Sequence, residues 1–167
     1  MASGHMQAPP WRQMTGRGFG NRSPAVGRRA SAVGTLGPVI HHVTLWVPHL
    51  GRTERSWGWL LGQMGYTRDR SLDTVLLFRH SRGFAVALEQ SPDMVPGMLY
   101  SRMRPGLNHI AFTLDSADRL TRMLAAAPDH GWVTLPIDGH RIAGGAHVAY
   151  LEDGDGFEVE LVAPMET

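Results

Sequence analysis

Leu107-Asn108-His109-Ile110-Ala111-Phe112-Thr113-Leu114 decides the fold, because it has a counterpart in Ile40-His41-His42-Val43-Thr44-Leu45-Trp46-Val47. Each phrase alternates like a half-buried strand and opens on a histidine. A second matched pair follows, Gly83-Phe84-Ala85-Val86-Ala87-Leu88-Glu89 and Gly156-Phe157-Glu158-Val159-Glu160-Leu161-Val162. Two histidines and one or two carboxylates, placed alike in two halves of about 70 residues, suggest one metal site made by internal duplication. With no cysteine in the chain, such a site has only His, Asp and Glu to draw on. That ligand set suits Zn, Ni, Fe or Mn as a divalent ion.

Working outward, residues 39–47 read as a strand stopped by Pro48, and 52–62 as a helix with Trp57, Leu60 and Leu61 on one face, ended by Gly62. Strands follow near 65–70, 74–80 and 83–90, the last two joined by Ser81-Arg82-Gly83. Residues 91–106, with three prolines and two glycines, read as a linker. The order then repeats: strand 107–114, helix 116–127 capped by Asp115 or Ser116, a short strand near 131–135, a loop, and strands 146–152 and 156–163. Gly154-Asp155-Gly156 supplies the last hairpin turn. Each half is β-α-β-β-β. The fold class expected is α+β, two paired modules (about 38–90 and 107–164) forming a curved, barrel-like mixed sheet with the site between them. Because side chains alternate, His42, Thr44 and Trp46 share a face, as do His109, Ala111 and Thr113.

Composition narrows the function. The chain has 167 residues, sixteen arginines, no lysine, and a formal charge of +1. Residues 1–37 hold five of those arginines and no acid, so the remainder carries eleven arginines against fifteen acids. The 38–164 domain is therefore acidic and offers no basic face for nucleic acid. Residues 1–37 read as an Arg/Gly-rich disordered leader, with Met1 to Met6 a cloning remnant that removes His5 from consideration. No apolar run approaches the roughly 18 residues that span a bilayer, and no signal peptide is expected. A cytoplasmic protein with a small-molecule substrate, forming a homodimer, is the expectation.

Over residues 38–164 the chain resembles the vicinal oxygen chelate superfamily, which includes glyoxalase I, extradiol dioxygenases, fosfomycin-resistance transferases and bleomycin-resistance proteins. The resemblance rests on "HHVTLWVPHL", "RTERSWGWLLGQMGY", "GLNHIAFTLD" and "YLEDGDGFEVELVAP". It implies metal ligands from the first and last strand of each module: His42, a residue near 87–89, His109 and Glu160. Aligning Gly83-Phe84 with Gly156-Phe157 sets Ala87, not Glu89, opposite Glu160, with Glu89 roughly 7 Å further along the strand. A bulge could bring Glu89 in. With Glu89 the resemblance implies a His₂Glu₂ site, as in glyoxalase I, with Glu89 the candidate proton shuttle. Without it the set is His₂Glu, the facial triad of non-heme iron oxygenases. For that chemistry Tyr150 and His140 are candidate catalytic residues, although 91–108 holds no histidine. A glyoxalase-like lyase or isomerase is preferred over an extradiol-type ring-cleaving dioxygenase. A metal-free drug-binding protein like the bleomycin-resistance proteins is the third reading.

Glu160, on the apolar strand Phe157-Val159-Leu161, would be costly to bury unpaired. Its neighbour Glu158 reads as solvated at a hairpin end, and His41 as structural or supporting. His49, His80 and His130 read as solvated loop residues. Arg102, Arg104, His140, Arg141 and His147 are candidates for an anionic substrate. Trp46 and Thr113 would line the cavity, and Trp57 faces the core in preference to Trp59.

Overall fold

The computed structural model describes residues 40–136 and 145–165. The predicted leader and cloning remnant (1–37), and His140 and Arg141 of the second loop, lie outside them.

Strand β1 (His42–Trp46) leads into helix α1 (Leu50–Gln63), then β2 (Tyr66–Ser71), β3 (Val75–His80) and β4 (Ala85–Glu89). The second module repeats the plan with β5 (His109–Thr113), α2 (Ala117–Ala126), a 3-10 turn at Ala127–His130, β6 (Trp132–Leu135), β7 (His147–Asp153) and β8 (Glu158–Ala163). Each module forms a four-stranded mixed sheet, in the orders β1-β4-β3-β2 and β5-β8-β7-β6. The first and last strands of each module pair in parallel, and the other pairs are antiparallel. The expected pair of βαβββ modules is the observed architecture.

Local chemistry sets the boundaries. Helix α1 starts at His49, whose Nδ1 accepts from the Arg52 backbone N–H, a capping role not expected of a solvated loop histidine. It runs through Gly62 and stops before Gly65, whose φ of 79° is the left-handed conformation that ends helices. Ser116 caps α2 by accepting from the Arg119 N–H. The hairpins 81–83 and 154–156 both turn on a positive-φ glycine, Gly83 and Gly156.

The helix-facing side of both sheets contributes to one core. Leu45, Val86, Leu88, Leu76 and Phe78 from the first sheet join Phe112, Val159, Leu161, Ala149 and Leu151 from the second, around Trp57, Leu60, Leu61 and Trp132. Two hydrogen bonds cross between modules inside it. Trp57 Nε1 donates to Asp153 Oδ2 at 2.9 Å, and Trp132 Nε1 donates to the Ser56 carbonyl at 3.1 Å. The two indoles meet edge to face at 5.4 Å. Burial of such a side chain stabilises by about 1.5–3 kcal/mol or more, so these two tryptophans fasten the modules together. Trp59 is less buried than Trp57: it packs against the edge of the core and stacks on His130 at 4.5 Å. Among the described residues no helix is long and apolar enough to cross a membrane.

Candidate functional site

With one side of each sheet committed to the core, the opposite faces carry the polar residues that the repeat singled out. Parallel pairing puts His42 opposite Ala85, Thr44 opposite Ala87 and Trp46 opposite Glu89. In the second module His109 lies opposite Glu158, Ala111 opposite Glu160 and Thr113 opposite Val162. Both ladders are unbroken, so His42 and His109 hold equivalent positions, and Ala87 is the equivalent of Glu160.

The second module assembles a cluster. His109 Nε2 lies 2.9 Å from Glu160 Oε2, and the His109 ring meets Tyr150 edge to face at 5.8 Å. Tyr150 hydrogen-bonds Glu160, and burial together with the Glu160 charge holds its phenol above the ordinary tyrosine range. Glu160 is only 6% exposed. On the other side of the His109 ring, Nδ1 lies 2.8 Å from Asn108 Oδ1. Glu158 is not a free hairpin carboxylate: Arg102 Nε bonds it at 3.0 Å, and the same guanidinium reaches Glu152. Arg102 is thereby tied down by two carboxylates, whereas the Arg104 side chain bonds the Leu99 carbonyl, at 3.5 Å.

In the first module His42 Nδ1 meets His41 Nδ1 at 2.8 Å. Burial, with repulsion from His41 and Arg79, lowers the His42 imidazole below its ordinary value. Glu89 lies one two-residue step beyond Ala87, on the same face. It is 1% exposed; its Oε2 accepts from Trp46 Nε1 at 3.2 Å, and its Oε1 has no hydrogen-bond partner among the described residues. Trp46 itself is 46% exposed. His147 starts β7 and is exposed, and His80 Nδ1 accepts from the Arg82 N–H across the first hairpin.

The donor chemistry suits a cation. The Asn108 amide donates through Nδ2 to the Arg102 carbonyl at 3.2 Å, which leaves Oδ1 facing His109. An amide oxygen only accepts, so His109 carries its proton on Nδ1. Nε2 then presents a lone pair to a carboxylate oxygen 2.9 Å away, and only a proton or a metal ion between them satisfies both. Among the described residues, however, no three His, Asp or Glu side chains are grouped closely enough to hold one ion. His109 and Glu160 thus meet within the chain, while His42, at the register position equivalent to His109, is not grouped with them among the described residues.

Sequence reading overlooked Asn108 and Arg102 as supports of His109, and Trp46 as the donor to Glu89. One signal was present: a hydrogen-bonding residue immediately precedes the histidine in both phrases.

Residues 41–150 match the family model of the Glyoxalase/Bleomycin resistance protein/Dioxygenase superfamily. The uncharacterized protein YqjT of Bacillus subtilis (strain 168) is 35% identical over 128 residues, covering 75% of this chain and 98% of YqjT. A candidate glyoxalase from Bacillus halodurans superposes with a TM-score of 0.68 at 31% identity, covering 77% of this chain and 97% of that one. A variant of the fosfomycin resistance protein FosX from Listeria monocytogenes, in complex with Mn(II) and 1S,2S-dihydroxypropylphosphonic acid, shares the fold. Its TM-score is 0.56 at 21% identity, over 78% of this chain and 92% of FosX. The duplicated βαβββ plan and these matches together show that the chain belongs to the glyoxalase/bleomycin resistance protein/dioxygenase superfamily.

Proposed function

We propose that this protein is a divalent-metal-dependent enzyme of the glyoxalase type, a lyase or isomerase acting on a small oxygen-rich substrate. The observation that carries the reading is the His109 Nε2–Glu160 Oε2 approach at 2.9 Å, a contact that a proton or a metal ion would satisfy, with His42 at the equivalent position of the other module. His42, His109 and Glu160 would hold Zn, Ni, Fe or Mn. When bound, the ion would supply Lewis acidity toward adjacent substrate oxygens.

The protein's own groups would handle the proton. Glu89 would accept it: one oxygen is fixed by the Trp46 indole, and the other, buried, has no partner among the described residues. Tyr150, with its phenol held protonated near neutral pH, would act as a donor and would brace Glu160. Exposed Trp46 would cover the apolar part of the substrate.

The site would be completed by a homodimer. One chain buries the helix-facing sides of both sheets in a single core, and its two ligand-bearing faces do not meet in a three-ligand group among the described residues. Pairing the first module of one protomer with the second module of its partner would bring His42 to His109 and Glu160.

Metal content tests the ligand set: wild-type protein should bind one ion per site, and His109→Ala and Glu160→Ala should lose it. Wild-type protein that takes up no Zn²⁺, Ni²⁺, Mn²⁺ or Fe²⁺ would sink the reading. Mixing His42→Ala and Glu160→Ala chains tests the dimer. If sites are shared, each mixed dimer regains one intact site; if each chain builds its own, none is regained.

A ring-cleaving dioxygenase is the second reading, favoured by Ala87, because a His₂Glu set leaves open positions for substrate and O₂. Turnover of a catechol by the Fe²⁺-loaded protein under air, without turnover of a hemithioacetal by the Ni²⁺ or Zn²⁺ form, would select it.

A further inference from the structure

We propose that Asn108 is a positioning residue that fixes which nitrogen of His109 faces the site. This rests on the reading of His109 as a ligand.

The amide is held at both ends. Its Nδ2 donates to the Arg102 carbonyl at 3.2 Å, and its Oδ1 faces His109 Nδ1 at 2.8 Å. Arg102 is itself anchored through its side chain to Glu158 and Glu152, so the carbonyl that orients the amide sits on a tethered segment. Tyr100 tightens the same segment by donating its hydroxyl to the Leu107 carbonyl, with the Asn108 carbonyl 3.2 Å away. The strap from Tyr100 to Asn108 therefore ends in an oriented acceptor aimed at one ring nitrogen.

That acceptor decides the tautomer. A neutral imidazole has one N–H, and the hydrogen bond made by one nitrogen settles which other nitrogen is free to ligate. With the N–H directed at Asn108, Nε2 is the ligating atom, and it is the one beside Glu160. Glu158 cannot substitute, because its Oε1 lies 4.0 Å from His109 Nδ1 and its other oxygen is bonded to Arg102. The first module lacks this device: its equivalent residue is His41, an imidazole that can donate to or accept from His42 Nδ1.

The test uses the full chain, labelled with ¹⁵N-histidine and titrated with Zn²⁺ alone. Ring-nitrogen shifts of the Zn²⁺-loaded wild-type protein should show His109 bound through Nε2 with a protonated Nδ1. Removal of a group that orients a metal-bound histidine costs about 10–100-fold in affinity, so Asn108→Leu should weaken Zn²⁺ binding by that factor. Asn108→Asp keeps an acceptor for Nδ1 and should stay within about threefold of wild type. A role in loop folding alone would change thermal stability but neither the ligating nitrogen nor the ranking of Asp over Leu. Coordination through Nδ1 overturns the proposal, as does an Asn108→Leu affinity equal to wild type where His109→Ala loses the ion. An unchanged affinity in His109→Ala overturns the ligand reading itself and this proposal with it.

Discussion

The two modules use the same backbone rungs and fill them differently. In the second, the rung Ala111–Glu160 puts a carboxylate beside His109, with Tyr150 bracing it from the neighbouring strand. In the first, the same rung is Thr44–Ala87, and the carboxylate appears one rung further on as Glu89, held by Trp46. Duplication thus preserved the histidines while the carboxylates diverged. On the proposed reading one face would ligate and the other would receive a proton, because Glu160 is paired with His109 while Glu89 keeps an oxygen without a hydrogen-bond partner among the described residues.

Exchanging the carboxylates for neutral residues should break the comparison most sharply. Glu160→Ala should abolish stoichiometric metal, whereas Glu89→Gln should retain it and lower kcat by about 10²–10⁴-fold, the usual contribution of a positioned general base. Metal analysis beside steady-state kinetics checks both. Loss of metal from Glu89→Gln would instead make Glu89 a ligand and the site four-coordinate through protein.

Adding the missing carboxylate sharpens it from the other side. Ala87 is buried between Thr44 and Leu77, so a glutamate there is unpaired without metal and should cost about 1–3 kcal/mol. Zn²⁺ should then raise the melting temperature of Ala87→Glu by more than it raises that of wild type. An equal rise in both proteins would mean that position 87 does not face the ion.

The hairpins of the two modules differ as well. Asp153 and His80 occupy matching positions, each hydrogen-bonded to backbone N–H groups of its own turn, but only Asp153 also takes the indole N–H of Trp57. Burial raises the Asp153 carboxyl above its ordinary value. A raised folded-state value means that the folded protein keeps a proton the unfolded chain has lost. This group's contribution to stability therefore falls as pH rises from the ordinary carboxylate range through the raised one, and is level above it. Trp57→Phe removes a donor to the ionised form and should cost about 1–3 kcal/mol at neutral pH. The cost should shrink in acid, where the carboxyl is protonated in both states. Denaturant titrations at the two pH values measure the difference.

Alternation, helical spacing and turn residues located the eight strands and two α-helices of the described residues, because these are local properties, but not the 3-10 turn at Ala127–His130. The Ala87/Glu160 equivalence was equally legible, since the glycine-phenylalanine turns set the register of both hairpins. What escaped was set by contacts across the chain. Arg102 pairs with residues some fifty positions away, and Glu158 looks solvated until that arginine is folded over it. His49 as a helix cap and Trp46 as the donor to Glu89 likewise depend on where a side chain points, not on its neighbours in sequence.

The smallest expected effect comes from giving the first module the second module's neighbour, by His41→Asn. The new amide could accept from His42 Nδ1 as Asn108 does from His109, yet Asn108 owes its orientation to the Arg102 carbonyl at the far end of the amide. The residues that tether that strap, Tyr100 and Arg102, correspond in sequence to Val33 and Thr35, which offer neither a phenol nor a guanidinium. An unanchored amide can turn either end toward the ring, so Zn²⁺ affinity should change by no more than about threefold, well short of the 10–100-fold effect of a fixed supporting group. A gain near tenfold would show that the residue type alone sets the tautomer, and would reduce the strap from Tyr100 to Asn108 to a structural connection.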